Sequence, residues 1–254
     1  FGLESAIVDG KTVAVHEKIV LRKPFGQLKR FRREGVENSP RLLIAAPMSG
    51  HYATLLRGTV ERLLPGHDVY ITDWRDAKLV PLSAGRFDLD DYIDYLIAFL
   101  EHIGPGAHML AVCQPSVPAY AAACLMSADN NPCRPRTLSL MGGPIDTREA
   151  PTAVNTLATQ RPYAWFERNV IATVPYLYPG AGRSVYPGFL QLAGFMTMNL
   201  GNHLVSHWEM FKHLVEGDGE GADATKDFYD EYRAVCDMTA EFYLQTVDAV
   251  FQRH

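Results

Sequence analysis

Short apolar segments alternate with helical segments along the first part of the chain, and this alternation limits the fold more than any other feature. Each apolar segment is short, rich in β-branched residues and closed by turn residues, which predicts buried strands. Strands that alternate with helices at this spacing indicate βαβ units around a mostly parallel sheet. The predicted strands cover 12–21, 27–33, 41–46, 68–72, 107–112 and 136–140, and the predicted helices cover 52–64, 87–103 and 118–126. The basic segment FGQLKRFRR, which includes the second of these strands, is either a hairpin partner of the first strand or a basic surface edge.

The pattern changes after residue 146, where helical segments and proline-rich turns replace the strands. Long amphipathic helices are predicted over 190–214 and 224–252, and an acidic glycine-containing loop at 217–223 separates them. We therefore expect an α/β core over residues 1–146. Residues 147–254 are expected to form a helical cap or lid that leads back toward the core.

Composition excludes several classes of protein. The chain has 24 Lys and Arg against 29 Asp and Glu, a formal net charge of -5, whereas a nucleic-acid partner requires a basic face. No apolar run reaches the roughly 18 residues of a membrane-spanning helix. The four cysteines have neither the spacing nor the histidine partners of a zinc site, and free thiols suit a reducing cytoplasm. We expect no metal, no cofactor, no nucleic acid and no membrane span.

The sharpest chemical motif is LAVCQP at 110–115, where a strand runs into Cys113 and a helix follows. Hydrolases of the α/β class hold their nucleophile on a tight turn of this kind, with small residues two positions to either side. The helix N-terminus would stabilise a thiolate and an oxyanion alike. Cys113 is thus a candidate nucleophile, with the backbone N–H of Gln114 as an oxyanion donor. The alternative is a small hydrophobic cysteine buried after a strand.

A second loop, PMSGHY at 47–52, follows the third predicted strand and opens a helix. In hydrolases of this class the same loop supplies the other oxyanion N–H. Met48 or Ser49 is the candidate donor, Gly50 would allow close backbone approach, and His51 is a candidate pocket residue. The alternative is an ordinary turn in which Ser49 caps the helix.

The sequence indicates a catalytic acid and a catalytic base less clearly than a nucleophile. Asp146 and Asp73 each follow a predicted strand, and we rank Asp146 first as an in-chain acid, although pairing with Arg148 competes with that role. The histidines that follow Cys113 all lie in helical patterns or at the chain end. His203 and His207 have a chelating spacing but are better explained as polar positions on a packed helix. No complete triad is predicted within these residues.

Taken together, these strings resemble the intracellular poly(3-hydroxybutyrate) depolymerases of bacteria. The resemblance extends over nearly the whole chain and is carried by the following strings: APMSGHYATLLRGTV, VYITDWRDAKLVPLSAGRFDLDDYI, AVCQPSVPA, MGGPIDTREAPTAVN, VYPGFLQLAGFM and DFYDEYRAVCDMTAEFYLQTVDAVF. It implies an α/β-hydrolase fold, cleavage of esters in amorphous polyester granules, and Cys113 as the nucleophile.

The resemblance also implies that the family's acid and base histidine lie on segments beyond residue 254. The residue pattern agrees, because about six core strands are predicted where this fold usually has about eight. We therefore expect the C-terminal core strands to be missing from these residues. A separate C-terminal fragment would be one way to supply them.

We expect an ester hydrolase in the cytoplasm at the surface of polyester granules, with a granule or an oligomer as its partner. The aromatic cap would suit an apolar, elongated substrate. Three alternatives stay open: a polyester synthase or related acyltransferase of the same fold, a non-catalytic granule-surface binding protein, and a general small-ester hydrolase. The residues leave the acceptor, water or a thiol, undecided, and a homo-oligomer also stays open.

Overall fold

A mixed sheet forms the centre of the computed structural model, which describes residues 1–149, 151–198 and 200–254. In these residues its strands are β1 (Ser5–Val8), β2 (Lys11–Lys23), β3 (Gly26–Arg33), β4 (Arg41–Ala45), β5 (Asp68–Trp74), β6 (His108–Val112) and β7 (Leu138–Met141). Their spatial order is β1-β2-β3-β5-β4-β6-β7. β4 pairs in parallel with β5 and β6, and β6 with β7, whereas the remaining neighbours are antiparallel. The expected α/β architecture, a mostly parallel sheet with flanking helices, is confirmed.

Helices cover both faces of this sheet, which explains why its central strands are apolar throughout rather than alternating. On β4, Leu43 and Ala45 face one core cluster, while Leu42 and Ile44 face the other. The helices of the described residues are α1 (Arg57–Leu63), α2 (Leu89–Ile103), α3 (Ser116–Ala128), α4 (Ala153–Gln160), α5 (Tyr163–Asn169), α6 (Gly188–Met198), α7 (Leu200–Glu216), α8 (Gly219–Arg233) and α9 (Ala240–Thr246). Helix α2 begins with a capping box at Asp88, the residue whose side chain accepts from the Asp91 N–H.

The first half of the chain follows the sequence predictions closely. The segment at 27–33 is the hairpin partner of β2, as one of its two interpretations held. The short strand β1 was not predicted, since it is only four residues long and half-exposed. The predicted helix at 52–64 begins instead as a 3₁₀ turn over Ala53–Leu56 before α1.

The C-terminal half differs from expectation in two respects. The prediction of helices and turns alone is wrong, because β8 (Ala172–Thr173), β9 (Ser184–Tyr186) and β10 (Met238–Thr239) form a small antiparallel sheet. The single helix predicted over 224–252 is also wrong: α8 ends, β10 follows, and α9 runs into a π-helical turn over Val247–Gln252. The helix predicted over 190–214 is described as α6 and α7, and residue 199 between them lies outside the described residues.

A close backbone approach explains the break before β10. A Cβ on Gly188 would lie 2.7 Å from the Cys236 carbonyl oxygen, and the Cys236 N–H donates to the Gly50 carbonyl at 2.8 Å. These contacts join residues that are far apart in the sequence, so the helical periodicity of the sequence does not predict them. Beyond the break, Met238, Phe242 and Val250 enter the main core cluster. The C-terminal region therefore contributes core as well as cap, and its division from the rest at residue 146 stays a prediction.

Arg183 links the small antiparallel sheet to the core through hydrogen bonds. Its side chain is only 3% exposed, and its guanidinium donates to the carbonyls of Val80, Pro81 and Gly85 at 3.2, 2.7 and 2.8 Å. Burial lowers the pKa of Arg183, which shows that the charge is held at a desolvation cost. The carbonyls offset that cost because each accepts a charge-assisted hydrogen bond.

Arg183→Met is therefore expected to lower the free energy of unfolding by about 3 kcal/mol, because it keeps the apolar stem and removes three hydrogen bonds. Chemical denaturation measures this change. Arg168→Met, at an exposed position of α5, is the matched control and should change stability by less than about 0.5 kcal/mol. Equal stability of the two variants would contradict a stabilising role of the Arg183 hydrogen bonds.

Candidate active site

Cys113 occupies the turn between β6 and α3 with a backbone φ of +66°. A left-handed conformation is unusual for a residue with a side chain and costs about 1–3 kcal/mol unless its surroundings hold it. Here the Cys113 N–H donates to the Met141 carbonyl at 2.7 Å, and the Ser116 N–H donates to the Cys113 carbonyl at 3.0 Å. The result is an exposed thiol that directly precedes the N-terminus of a thirteen-residue helix. The structure thus places Cys113 in the kind of turn that the motif predicts.

Gly143, which the sequence analysis missed, closes the turn from the side of β7. A Cβ at this position would lie 2.0 Å from Ser116 Oγ and 2.7 Å from the Cys113 carbonyl oxygen. Only a glycine lets the segment after β7 approach the turn this closely. The available signal was the Gly142-Gly143 pair directly after a predicted strand.

The two predicted oxyanion segments meet in the structure. The Met48 N–H donates to the side-chain oxygen Oε1 of Gln114 at 3.1 Å. Within the described part of the chain, neither the Gln114 N–H nor the Ser49 N–H has a hydrogen-bond acceptor. These two N–H groups are therefore unpaired in this conformation, whereas the Met48 N–H is occupied by an oxygen of the protein itself. Their role as oxyanion donors stays a prediction.

The loop that carries Met48 is held from the end of β4. The Ala46 N–H donates to Thr72 Oγ1 at 2.9 Å, and the Ala46 carbonyl accepts from Trp74 Nε1 at 2.8 Å and from the Tyr92 hydroxyl at 3.0 Å. Burial raises the pKa of Tyr92 well above its ordinary value, so its hydroxyl stays a donor. These three side chains fix where the loop leaves the sheet, and none of them was identified from the sequence.

His51 is directed toward the C-terminal region. Its ring is buried, its Nε2 lies 3.0 Å from the Tyr232 carbonyl, and it stacks against Phe195 with centroids 5.5 Å apart. Next to it, a Cβ on Gly50 would lie 3.0 Å from Gln191 Oε1, the close approach that the sequence analysis expected of this glycine. No hydrogen bond joins His51 to Cys113 among the described residues. The contacts make His51 a residue that positions α6 and α8 over the loop.

Asp146 lies exposed and pairs with Arg148. Its carboxylate accepts from the Arg148 Nε and Nη2 at 2.9 and 2.7 Å and from the Arg148 N–H at 3.1 Å. These bonds lower the pKa of Asp146 to about 2. No described histidine donates a hydrogen bond to this carboxylate, so the geometry gives Asp146 a local structural partner rather than a catalytic one. An in-chain acid at Asp146 stays a prediction.

The other candidate groups are engaged in structural contacts. His203 lies 2.8 Å from the Tyr229 hydroxyl, and His207 lies 2.8 Å from the His203 carbonyl, as expected for polar positions on a packed helix. In the ranges that the structure describes, no cluster of three histidine, cysteine or acidic side chains is arranged to hold a metal ion. Within the same ranges, no helix combines the length and the hydropathy that a membrane crossing would require.

Comparison with known proteins identifies the C-terminal region. Residues 142–254 match the family model described as PHB de-polymerase C-terminus. This region is similar to the C-terminal domain of PHB depolymerases. The match begins at Gly142, beside the Cys113 turn, and includes the small sheet and the helices that pack over the candidate site. The resemblance to PHB depolymerases drawn from the sequence motifs is confirmed for this region, and no curated protein matches the chain.

Several solved structures are distantly similar to part of the chain. A thioesterase domain from the curacin biosynthetic pathway is 16% identical, covers 64% of this chain and 56% of its own, and has a TM-score of 0.39. A putative lipase from Acinetobacter baumannii AYE is also 16% identical, with 64% and 57% covered and a TM-score of 0.39. For brefeldin A esterase, a bacterial homologue of human hormone sensitive lipase, the identity is 16%, the coverage 54% and 40%, and the TM-score 0.35. The chain thus spans less than two thirds of each of these structures, and similarity at this level carries no conclusion about activity.

Gly143→Ala is expected to lower the free energy of unfolding by about 2 kcal/mol, since the added methyl group collides with Ser116 and with the turn backbone. Thermal and chemical denaturation measure this loss. Gly194→Ala on α6 is the control, because no atom lies within 4 Å of its added Cβ. That substitution should leave stability unchanged or raise it by about 0.5–1 kcal/mol through helix propensity. A Gly143→Ala protein as stable as the unsubstituted one would disprove the close packing.

Alkylation rates should distinguish the cysteines. Cys113 is expected to react faster with iodoacetamide than Cys124, which is exposed in the last two turns of α3, because the partial positive charge of the helix N-terminus lies beside Cys113 and favours its attack. Burial raises the pKa of Cys236 to about 12, so its thiol stays protonated near pH 8 and should react only after unfolding. Peptide mass spectrometry at timed intervals gives the three rates. Equal rates at Cys113 and Cys124 would argue against an activated thiol.

Proposed function

We propose that this protein hydrolyses ester bonds of poly(3-hydroxybutyrate) with Cys113 as the nucleophile. The observation that supports this most directly is the left-handed turn that presents the Cys113 thiol at a helix N-terminus, beside the Met48 loop and a region similar to the C-terminal domain of PHB depolymerases. Nucleophile turns of this kind suit acyl transfer because the attacking atom and the oxyanion donors belong to the same short segment.

The reaction proceeds in two steps. The Cys113 thiolate attacks the ester carbonyl, and the carbonyl oxygen becomes an oxyanion held by the Gln114 N–H and by an N–H of the Met48–Ser49 segment. Collapse breaks the C–O bond, releases the hydroxyl end of the polymer and leaves a thioester on Cys113. Water then attacks the thioester, releases the acid and restores the thiol. Each oxyanion donor contributes about 3 kcal/mol in well-studied cases.

Proton transfer needs a general base that accepts the thiol proton and returns it to the leaving hydroxyl group. No histidine ring among the described residues bonds to Cys113. The base is therefore proposed to be a histidine, as the family resemblance implies. The alternatives within these residues are His51 and Asp146. However, the His51 ring contacts the Tyr232 carbonyl, and the Asp146 carboxylate pairs with Arg148.

The exposed apolar surface of the C-terminal region supports the proposal that the substrate is insoluble and apolar. Helix α7 exposes a series of large apolar side chains, each more than half accessible: Leu204, Val205, Trp208, Phe211, Leu214 and Val215. Soluble monomers rarely expose apolar side chains in contiguous patches of this kind. We propose that this face contacts the polyester granule and that the protein acts at the granule surface in the cytoplasm.

Cys113→Ala is expected to reduce the release of 3-hydroxybutyrate from amorphous granules by at least about 10³-fold, since the covalent step is lost. Cys124→Ala, which removes an exposed thiol from the same helix, should retain full activity. Granule sedimentation with both variants checks that binding is preserved. Activity that survives in Cys113→Ala would rule out the proposed nucleophile.

The same assay separates the alternatives. An unsubstituted protein that binds granules but releases no product would favour the non-catalytic granule-binding protein. Polymer growth from a hydroxyacyl thioester would favour the synthase. Hydrolysis of short nitrophenyl esters without hydrolysis of polymer would favour a general esterase.

A further inference from the structure

A cavity lies at the edge of the sheet remote from Cys113. It has a volume of about 590 Å³ and forms where β3 ends and where β4 and β5 begin. Its charged lining consists of four arginines and two carboxylates, Arg30, Arg32, Arg33, Arg41, Glu37 and Asp68. Because β4, β5 and β6 are parallel, this edge carries the amino ends of the strands, whereas Cys113 follows the carboxyl end of β6.

Most of the positive charge in this cavity has no carboxylate partner. Arg30 donates to both oxygens of Asp68, at 3.0 and 2.9 Å. Arg41 donates to the backbone carbonyls of Ile103 and Pro105 instead. In the described residues, neither Arg32 nor Arg33 forms an ion pair. Four guanidinium groups and two carboxylates leave a local excess of two positive charges in a chain whose net charge is -5.

Arg33 is the most constrained member of the group. Arg33 is only 4% exposed, and its Nη1 donates to the Pro65 carbonyl at 2.8 Å. Burial lowers the pKa of Arg33, so the protein bears a desolvation cost to keep this cation at the cavity. Asp68, the nearby carboxylate that favours the Arg33 charge, is already bonded to Arg30. Because buried charges in proteins are normally paired with an opposite charge, this arrangement points to an anion as a further partner.

We propose that this cavity binds a small phosphate-bearing anion. Guanidinium groups are planar forks that match the oxygens of phosphate and form charge-assisted, bidentate hydrogen bonds with them. A phosphate group carries about two negative charges near neutral pH, which matches the local excess, whereas a monocarboxylate carries one. The cavity volume lies within the roughly 300–1,000 Å³ of small-molecule sites. The basic segment FGQLKRFRR thus gains a role that ester hydrolysis does not require.

Isothermal titration calorimetry with diphosphate tests this site directly on the purified protein. Arg32→Ala removes an exposed guanidinium that makes no ion pair, so the fold should be preserved, and the Kd for diphosphate should rise by about tenfold or more. Arg22→Ala is the matched control. It removes the same charge from the same hairpin, at the end remote from the cavity, and should leave the Kd within about twofold.

Two further titrations define the ligand and the independence of the site. ADP that binds more tightly than diphosphate would show that a nucleoside also contacts the cavity, and equal affinities would assign the site to the phosphates alone; either result supports the proposal. Binding that is unchanged in Cys113→Ala would show that the site does not depend on the ester chemistry. The absence of diphosphate binding at millimolar concentration, or an equal loss in Arg32→Ala and Arg22→Ala, would overturn the proposal.

Discussion

The left-handed backbone at Cys113 is the constraint on which the candidate site depends. A φ of +66° on a residue with a side chain persists only where the surroundings over-determine it. Two backbone hydrogen bonds, from Cys113 to Met141 and from Ser116 to Cys113, and the bare backbone of Gly143 supply that support. The bond from Cys113 to Met141 and the approach of Gly143 require β6 and β7 to lie side by side and in register. The parallel sheet therefore serves to bring a glycine against the turn that presents the thiol.

A second constraint fixes the opposite side of the site. Two aromatic donors, Trp74 and Tyr92, converge on the Ala46 carbonyl, while Thr72 accepts the Ala46 N–H. The backbone N–H and carbonyl of one residue thus join β4 to β5 and to α2. A rotation of the peptide group that contains the Ala46 carbonyl would leave the two buried aromatic donors unpaired, at about 1–3 kcal/mol for each. The exit of the Met48 loop is therefore as rigid as the core, which oxyanion donors require if they are to be preorganised.

The sequence pattern predicted the sheet and the position of the Cys113 turn because both depend on local signals. The runs that became β4, β5 and β6 are apolar on both faces, and a strand followed by Cys113 and a helix indicates a sharp turn. Contacts between distant segments gave no such signal. The break before β10 depends on Gly188 touching the Cys236 backbone, and the closure of the turn depends on Gly143. In the same way, Arg41 joins the three arginines of β3 at the cavity only in the folded sheet, where the start of β4 lies near the end of β3.

The hydrogen bond between Gln114 and Met48 sets an order of events for the proposed reaction. The Gln114 amide oxygen accepts from the Met48 N–H, so it occupies a position that an ester carbonyl oxygen would take on that donor. A buried N–H without an acceptor is costly, and the side chain removes that cost while the site is empty. An ester that uses Met48 must first displace this oxygen, whereas one that uses Ser49 leaves it in place. In the second case Gln114 serves both halves of the oxyanion hole, donating through its backbone and holding the facing loop through its side chain.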